Sequence, residues 1–306
     1  MFTLGVYTKE QYARLGEKRR FLGARVAYNL LRVQEPCSAE EAKIFEDICF
    51  TLRTSNGTFR TTYRNRFRDV DKVALRLIQG SFDASTRLRV QDRAVSNGLT
   101  SAEWARGLGE HYPTLEFEAS DLLIELREWT LPNGDIYICE PDGKPLQYIR
   151  RPFVVSQDYK ESWRNPLLRW VANRARHRFD RLSPGGYRTA PISCIHPEAR
   201  ELEKSGRFRF EARSIFDRTP KACEVLRTMN ILNRSYFSPE RLAEAARGIF
   251  DSLVPGGIWI AGRTLEEDFS NHVTFFRRLD DRWEVLERIG NGLEIEEIAL
   301  ASVKSR

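Results

Sequence analysis

Apolar and polar positions follow two different patterns along the chain. From about residue 8 to residue 78, apolar side chains recur at roughly helical spacing, which predicts a mostly helical segment. Ser38 followed by Glu41 has the pattern of a capping box, and it predicts the start of a helix over Ala39–Leu52. We therefore expect residues 1–80 to form an N-terminal helical cap.

Short β-like runs alternate with helices from about residue 86 onward. Thr86–Gln91 is followed by a turn, by a helix over Thr100–Leu108 and by a second β-like run, Thr114–Ala119. Strand–helix–strand order predicts a βαβ unit and a mainly parallel sheet. The alternation returns later, with strands at Pro191–Ile195, Arg207–Ala212, Glu224–Asn230 and Ile258–Ala261, helices at Pro197–Lys204 and after Ser238, and a closing hairpin of Val273–Arg277 with Trp283–Arg288.

An insertion at about residues 127–188 interrupts this alternation. Asp135–Cys139 and Leu146–Val155 flank a Pro-Asp-Gly turn signal, which predicts a β-hairpin. Ser162–Leu182 is predicted to be a basic amphipathic helix. We therefore predict an α/β domain over residues 81–306 that carries an inserted β-hairpin plus helix.

The composition narrows the class of protein. With 41% apolar and 30% charged residues, the chain resembles folded proteins in general. No stretch approaches the roughly 18 apolar residues that span a bilayer, and the N-terminus lacks the pattern of a signal peptide. Because the five cysteines are scattered and form no C-x-x-C pair, we expect reduced thiols, a cytoplasmic location and no metal site. The net charge of +6 permits an acidic small molecule or a nucleic acid as partner, and the oligomeric state is left open.

Two segments carry candidate chemistry. The turn Asp92–Gly98 places small residues at alternating positions before a helix, so a ligand can approach its backbone and the N–H groups of the helix start. The segment Leu226–Phe237, LRTMNILNRSYF, follows a predicted strand, and open α/β sheets bind ligands at the carboxyl ends of their strands. After one helix comes Leu253–Gly262, LVPGGIWIAG, which combines a helix stop with a further strand.

These motifs together resemble class I S-adenosylmethionine-dependent methyltransferases, and within them the chemotaxis-receptor glutamate methyltransferases. That branch carries a turn of the form A-G-C-S-T-G-E-E, where this chain has RAVSNGLT at residues 93–100. It carries C-R-N-V-L-I-Y-F after its fourth strand, where this chain has RTMNILNRSYF at 227–237, and then L-x-P-G-G, matched within Leu253–Gly262. The resemblance covers roughly Arg87–Arg288, and it implies a Rossmann-like methyltransferase sheet with S-adenosylmethionine as the cofactor.

The resemblance also implies cofactor-binding residues. The turn would contact the methionine part of the cofactor, through Asp92, Ala94, Ser96, Gly98 and Thr100. Asp121 would accept hydrogen bonds from the two ribose hydroxyls, since one carboxylate can bind both. Phe216 and Asp217 would flank the adenine, and Met229 would lie near the sulfonium. Asn230, beside Met229, and then Asn233 and Tyr236 would be the catalytic residues that face the acceptor.

Other interpretations of these residues stay open. Asp121 could be an ordinary helix N-cap, and Asp217 a simple loop residue. Tyr236 could be a core aromatic side chain. A different alignment makes Ile192–Ala199 the second strand of the sheet and places His196 at the ribose position.

The chain departs from the pattern of the chemotaxis branch at three places. Ala94 stands where that branch has the first glycine of its turn, and Leu99-Thr100 replaces an acidic pair. Met229-Asn230 stands in place of an arginine-asparagine pair. These departures weigh against receptor glutamate as the substrate, and they keep a non-catalytic binding protein with this fold as an alternative function.

The acceptor is expected to be a small acidic molecule. A carboxylate needs no general base at neutral pH, and the acceptor segment holds no His or Asp/Glu dyad, so we predict O-methylation of a carboxylate or of another easily ionised small molecule. An arginine within Arg60–Arg68, or Arg151, would hold the acidic group. An RNA or tRNA methyltransferase is the alternative enzyme, with the basic segment Arg169–Arg181 along the phosphates, but nucleic acid is not favoured because no RNA-binding module is recognised.

Overall fold

The computed structural model describes residues 5–15, 26–55, 57, 60–156, 166–183 and 185–303, which fall into two compact units. The first unit combines Met1–Thr62 with Leu123–Pro197, and the second combines Tyr63–Leu122 with Glu198–Arg306. This division differs from the expected boundary at residue 80. The first two helices group with the inserted segment, whereas the helix that ends the expected cap belongs to the second unit.

The elements are named here in chain order. They are α1 (Lys9–Ala13), a 3₁₀ turn (Tyr28–Leu31), α2 (Ala39–Thr51), α3 (Arg68–Gln79), β1 (Arg89–Arg93), α4 (Leu99–Gly109), β2 (Glu116–Asp121), β3 (Glu125–Thr130), β4 (Ile136–Cys139), β5 (Pro145–Arg150), β6 (Phe153–Ser156), α5 (Pro166–Phe179), β7 (Arg188–Ser193), α6 (Pro197–Glu203), β8 (Phe208–Ala212), β9 (Cys223–Met229), α7 (Pro239–Ser252), β10 (Leu253–Thr264), β11 (Asn271–Arg278), β12 (Trp283–Ile289) and α8 (Glu296–Ala301).

The second unit is built on a seven-stranded sheet in the order β12-β11-β10-β9-β1-β2-β8. The five strands from β10 to β8 are parallel, and β11 and β12 add an antiparallel hairpin at one edge. From β1 the chain builds β2 and β8 on one side and then returns to build β9 and β10 on the other. This is the strand order of a Rossmann-like doubly wound sheet, in which ligands bind at the carboxyl edge where the order reverses. The expected α/β class and the expected closing hairpin are confirmed.

Helix α7 shows how the local sequence supports this sheet. The Ser238 side chain accepts a hydrogen bond from the Arg241 backbone N–H, and Pro239 occupies the first turn, so the helix begins where its sequence predicts. Its apolar face buries Leu242, Ala246, Ile249 and Phe250 in one cluster with Trp259 of β10. Burial of such a stripe is the main source of stability for a surface helix.

The first unit contains a five-stranded antiparallel sheet in the order β6-β5-β4-β3-β7. The predicted hairpin is present as β4 and β5, but it is the centre of a larger sheet. Helix α2 begins at its Ser38 cap as predicted, and its buried side chains Phe45 and Ile48 share a cluster with Ile138 of β4. Helix α5 packs on the sheet through Val171 and Ala175.

One sequence-based expectation is corrected by the structure, and another falls partly on residues outside the described ranges. Pro191–Ile195 was expected in the main sheet, but the strand found there, β7, pairs antiparallel with β3 in the first unit. Antiparallel sheets also bury one apolar face, so a short apolar run such as that around Ile192 fits either sheet. The sequence therefore does not show which sheet this strand joins. The start of the predicted helix Ser162–Leu182 lies outside the described residues. Within the described part of the chain, no helix is both long and apolar enough to cross a membrane.

Candidate functional site

The turn between β1 and α4 lies at the carboxyl edge of the main sheet, next to the point where the strand order reverses. Ala94, Ser96 and Gly98 all adopt left-handed backbone conformations, with φ of 61°, 61° and 78°. Such conformations are costly for residues with a Cβ, and they concentrate at ligand-binding turns. At Gly98 a side chain is excluded, because an added Cβ would lie 2.3 Å from the Phe210 ring of β8.

Two of the predicted cofactor residues meet directly at this edge. The Ser96 backbone N–H donates to Asp121 Oδ2 at 2.7 Å, and the preceding Val95 N–H donates to the Ser120 carbonyl at 3.2 Å. The end of β2 thereby fixes the conformation of the turn after β1. Asp121 is half-buried rather than enclosed, so its carboxylate lies at the edge where a ligand would bind.

Asn97 adds an unpaired donor to the turn. Its Oδ1 accepts a hydrogen bond from the Leu99 backbone N–H at 3.0 Å, whereas its Nδ2 is buried without a hydrogen-bond partner. The residue is 0% exposed. An unpaired buried amide costs about 1–3 kcal/mol, so an acceptor supplied by a ligand would recover part of this free energy.

Asp92 has a different role from the one that the resemblance implies. Its Oδ1 accepts from Arg227 Nε at 3.1 Å, and its Oδ2 accepts from Arg227 Nη2 at 2.5 Å and from the Ser101 hydroxyl at 2.7 Å. Asp71 of α3 binds the same guanidinium at 2.8 Å. Because both carboxylate oxygens are bound within this buried cluster, Asp92 anchors Arg227.

One carboxylate of this cluster, that of Asp71, has a raised pKa. Burial raises the pKa of Asp71 to about 7, the Arg227 charge opposes that rise, and nearby Asp92 adds to it. Thr100, in the first turn of α4, also belongs to this region, since its backbone carbonyl accepts from Arg227 Nη2 at 3.3 Å. The Thr100 side chain is buried.

The segment after β8 holds the residues expected beside an adenine. Asp217 closes a turn by accepting the Ser214 backbone N–H at 3.0 Å, and its own carbonyl accepts from Arg93 Nη1 at 3.0 Å. Arg93 is buried at the end of β1, and burial lowers the pKa of its guanidinium. Arg241 covers Phe216, with its Cζ 3.7 Å from the ring centroid. One face of the Phe216 ring is therefore occupied.

The end of β9 is buried, whereas the residues that follow it form a turn. Met229 is buried at the end of the strand and pairs in register with Gly262 of β10. Asn230, with φ of 62°, accepts the Thr264 backbone N–H at 2.7 Å through Oδ1. Asn233 Oδ1 accepts the backbone N–H groups of Ser235 and Tyr236 at 3.0 and 3.1 Å, so Asn233 caps the turn.

The surroundings of Tyr236 and His196 decide between the alternative roles of these two residues. Tyr236 is 48% exposed, which is incompatible with the alternative that it is a core aromatic residue. His196 is fully buried in the first unit, where its Nε2 lies 3.1 Å from Glu46 Oε1. Because β2 and not Ile192–Ala199 is the second strand beside β1, the alternative alignment that placed His196 at the ribose is wrong.

A further group of polar and aromatic residues lies beyond the end of β10. Arg66 Nε donates to Thr264 Oγ1 at 3.1 Å, and the Arg66 Cζ lies 5.3 Å from the centroid of the Tyr63 ring. Tyr63 and Phe269 meet edge to face at 6.1 Å. The sequence predicted only that an arginine of Arg60–Arg68, or Arg151, would hold an acidic group. Thr264 and Phe269 belong to no recognised motif.

The described residues fit S-adenosylmethionine at this edge. The unpaired Asn97 amide and the start of α4 provide N–H donors suited to a carboxylate, and Asp121 provides an acceptor suited to hydroxyl groups. These are the two hydrogen-bonding chemistries that the methionine and ribose parts of the cofactor require. Among the described residues, no group of three or more His, Cys, Asp or Glu side chains is placed to hold a metal ion.

Comparison with known proteins gives weak likenesses to solved structures. No family model and no curated protein matches the chain. Structures similar to part of it include the [4+2]-cyclase SpnF (13% identity, TM-score 0.31, 64% of this chain and 45% of that one). Others are geranyl diphosphate C-methyltransferase from Streptomyces coelicolor A3(2) (11%, 0.30, 63% and 44%) and an O-methyltransferase family protein from Burkholderia thailandensis (16%, 0.28, 67% and 44%). The chain thus spans less than half the length of each structure, and the class of fold rests on the strand order itself.

Proposed function

We propose that the second unit is an S-adenosylmethionine-dependent methyltransferase domain that acts on a carboxylate or another small-molecule acceptor. The observation that carries this proposal is the 2.7 Å hydrogen bond between the Ser96 N–H and Asp121, beside the unpaired Asn97 amide. These groups meet where a Rossmann-like sheet reverses its strand order, which is the ligand-binding edge of such sheets. The narrower resemblance to chemotaxis-receptor methyltransferases stays a prediction.

The residues of the turn would hold the cofactor through complementary groups. Asp121 would accept hydrogen bonds from the ribose, and Asn97 with the first N–H groups of α4 would bind the methionine carboxylate. Asp217 would lie beside the adenine, which would contact the edge or the uncovered face of Phe216, because Arg241 covers the other face. Met229 would form the apolar floor near the sulfonium.

The protein's task in this reaction is alignment. When bound, the cofactor supplies an activated methyl group. Asp121 and the turn after β1 would hold the cofactor, whose methyl group would pass to a carboxylate oxygen and leave the sulfur as a neutral thioether. No proton is transferred, so the acceptor side needs no general base. Asn230 and Tyr236 would orient the acceptor, and holding the two reactants in line would supply most of the rate enhancement.

A radiolabel assay tests this function. The full chain is incubated with S-adenosylmethionine labelled in its methyl group and with a panel of small carboxylic acids, and the products are then treated with mild alkali. Methyl esters release volatile methanol under these conditions, whereas N-methyl and C-methyl products do not. We expect base-labile label that is lost in Asp121→Ala and kept in Asp281→Asn, an exposed matched control. Label that stays base-stable would contradict O-methylation of a carboxylate.

A nucleic-acid acceptor is the second candidate function, and helix α5 favours it. Trp170 is 59% exposed, and the Arg174 Cζ lies 5.7 Å from its ring centroid. An exposed aromatic ring beside arginines is a combination that stacks bases and neutralises phosphates. If RNA is the acceptor, Trp170→Ala should weaken RNA binding, and the affinity should fall steeply with salt. Equal RNA affinity of the wild type and Trp170→Ala at all salt concentrations would exclude a nucleic-acid acceptor.

A further inference from the structure

We propose that Tyr63, Arg66, Thr264 and Phe269 form a binding site for an aromatic carboxylate at the carboxyl end of β10. We refer to these four residues as the Arg66 site. All four belong to the second unit, and Thr264 is the last residue of β10. The proposal deepens the proposed function, because it names the substrate class of the methyl-acceptor side and rests on that function for the role of the bound acid.

The Arg66 guanidinium is held in place by a closed set of hydrogen bonds. Its Nε donates to Thr264 Oγ1 at 3.1 Å, and Thr264 Oγ1 donates to Asn271 Oδ1 at 2.9 Å. Asn271 Nδ2 then donates to the Arg66 backbone carbonyl at 2.9 Å and to Asp69 Oδ1 at 2.7 Å. Because a long side chain normally loses much rotamer freedom on binding, this prior ordering favours ligand capture.

The aromatic part of the site combines an exposed phenyl ring with a left-handed backbone. Phe269 is 66% exposed and has a left-handed backbone, with φ of 59°. A bulky residue in that conformation is strained, and an exposed phenyl ring gains no burial in return. Phe269 meets Tyr63 edge to face at 6.1 Å, so the pair presents aromatic surface beside the guanidinium. A planar ring is the ligand that such a surface favours.

The electrostatic environment of Arg66 suits an anion. Burial partly removes the Arg66 guanidinium from water and thereby lowers its pKa, while Tyr63 and Glu266 act in the opposite sense. A carboxylate meeting a partly desolvated guanidinium forms a strong charge-assisted hydrogen bond. Glu266 is exposed and its charge acts to raise the pKa of Arg66, so this carboxylate would compete with the ligand for the guanidinium.

The position of the site matches that of a methyl acceptor. Thr264 is tied to the end of β9 through the hydrogen bond between its N–H and Asn230 Oδ1. Only β9 lies between β10 and β1, and strands are about 4.8 Å apart, so β10 lies roughly 10 Å from β1 across the sheet. An aromatic acid with its ring on Tyr63 and Phe269 would bind Arg66 through one carboxylate oxygen and keep its other oxygen as the nucleophile.

Calorimetric titration of the full chain with benzoate tests the site. We expect benzoate to bind, and we expect benzamide, its neutral isostere, to bind at least about 10-fold more weakly. Arg66→Gln should reduce benzoate affinity by at least about 10-fold. Arg68→Gln, two residues further along in an exposed position, should leave it unchanged. Glu266→Gln should keep or increase the affinity, because it removes the competing carboxylate.

The outcomes separate this proposal from the proposed function when S-adenosylhomocysteine is titrated in parallel. Binding of S-adenosylhomocysteine without Arg66-dependent binding of benzoate overturns the Arg66 site and leaves the methyltransferase function standing. Binding of benzoate without S-adenosylhomocysteine supports the site and contradicts that function. If Arg66→Gln does not fold, the wild-type comparison decides, since equal affinities for benzamide and benzoate overturn the proposal.

Discussion

Asp92 and Asp121 lie near the carboxyl ends of neighbouring parallel strands, yet their carboxylates have different partners. Asp92 points to the face of the sheet where Arg227 is buried, and both of its oxygens bind there. Asp121, at the end of β2, binds the turn backbone at the sheet edge. The sequence identifies both strand ends, but it contains no signal for the pairing of Asp92 with Arg227, because these residues lie 135 positions apart.

A pH effect on stability is expected from Asp71. Its pKa is raised to about 7 in the folded protein, against 3.8 for the free side chain, so the folded state holds the proton more tightly. Its contribution to stability is therefore full below about pH 4 and is lost as the pH rises through 7, by at most about 1.4 kcal/mol per pH unit. The difference in unfolding free energy between the wild type and Asp71→Asn should change in this direction when measured by denaturant unfolding from pH 5 to 8. A constant difference over that range would contradict it.

At the scale of elements, strand and helix starts could be predicted more reliably than pairings. The cap residues Ser38 and Ser238 begin α2 and α7 as their sequence indicates, because capping is a local interaction. The five-stranded sheet of the first unit was predicted only as one hairpin. Its outer strand β7 pairs with β3 across more than 50 residues, and such pairing depends on contacts that local patterns do not encode.

The turn before α4 is predicted to need glycine at position 98 for stability. Gly98→Ala should lower the unfolding free energy by about 1–3 kcal/mol, because the new Cβ would collide with Phe210 and would need a left-handed backbone. Gly107→Ala in α4 is the matched control. Nothing lies within 4 Å of its added Cβ, so it should be neutral or stabilising by up to about 1 kcal/mol. Thermal unfolding of the two variants measures the contrast, and equal effects would exclude this role of Gly98.

At the scale of the whole molecule, the first unit is assembled from two distant parts of the chain. Gln147 in β5 is fully buried, and its Nε2 donates to the Val26 carbonyl at 2.8 Å while its Oε1 accepts the Tyr28 N–H at 2.8 Å. Composition and periodicity predicted an N-terminal cap and a separate insertion. They could not predict that one buried amide joins these two segments, since a glutamine within a strand usually faces solvent.

The junction that Gln147 forms with Val26 and Tyr28 can be tested by substitution of Gln147. Gln147→Leu should lower the unfolding free energy by about 2–4 kcal/mol, because it leaves a buried backbone N–H and a buried carbonyl without partners. Asn173→Leu on exposed α5 is a control in the same unit, and it should change stability by less than about 0.5 kcal/mol. A wild-type unfolding midpoint in Gln147→Leu, measured by circular dichroism, would be inconsistent with this junction.

The turn after β1 and the end of β2 are together predicted to bind S-adenosylmethionine. Calorimetric titration of the full chain with S-adenosylhomocysteine tests this assignment. We predict saturable binding with one site per chain, weakened at least about 10-fold by Asp121→Ala and unchanged by the exposed control Asp281→Asn. Absence of binding at millimolar ligand, or equal affinity in Asp121→Ala, would contradict the assignment of this edge as the cofactor site.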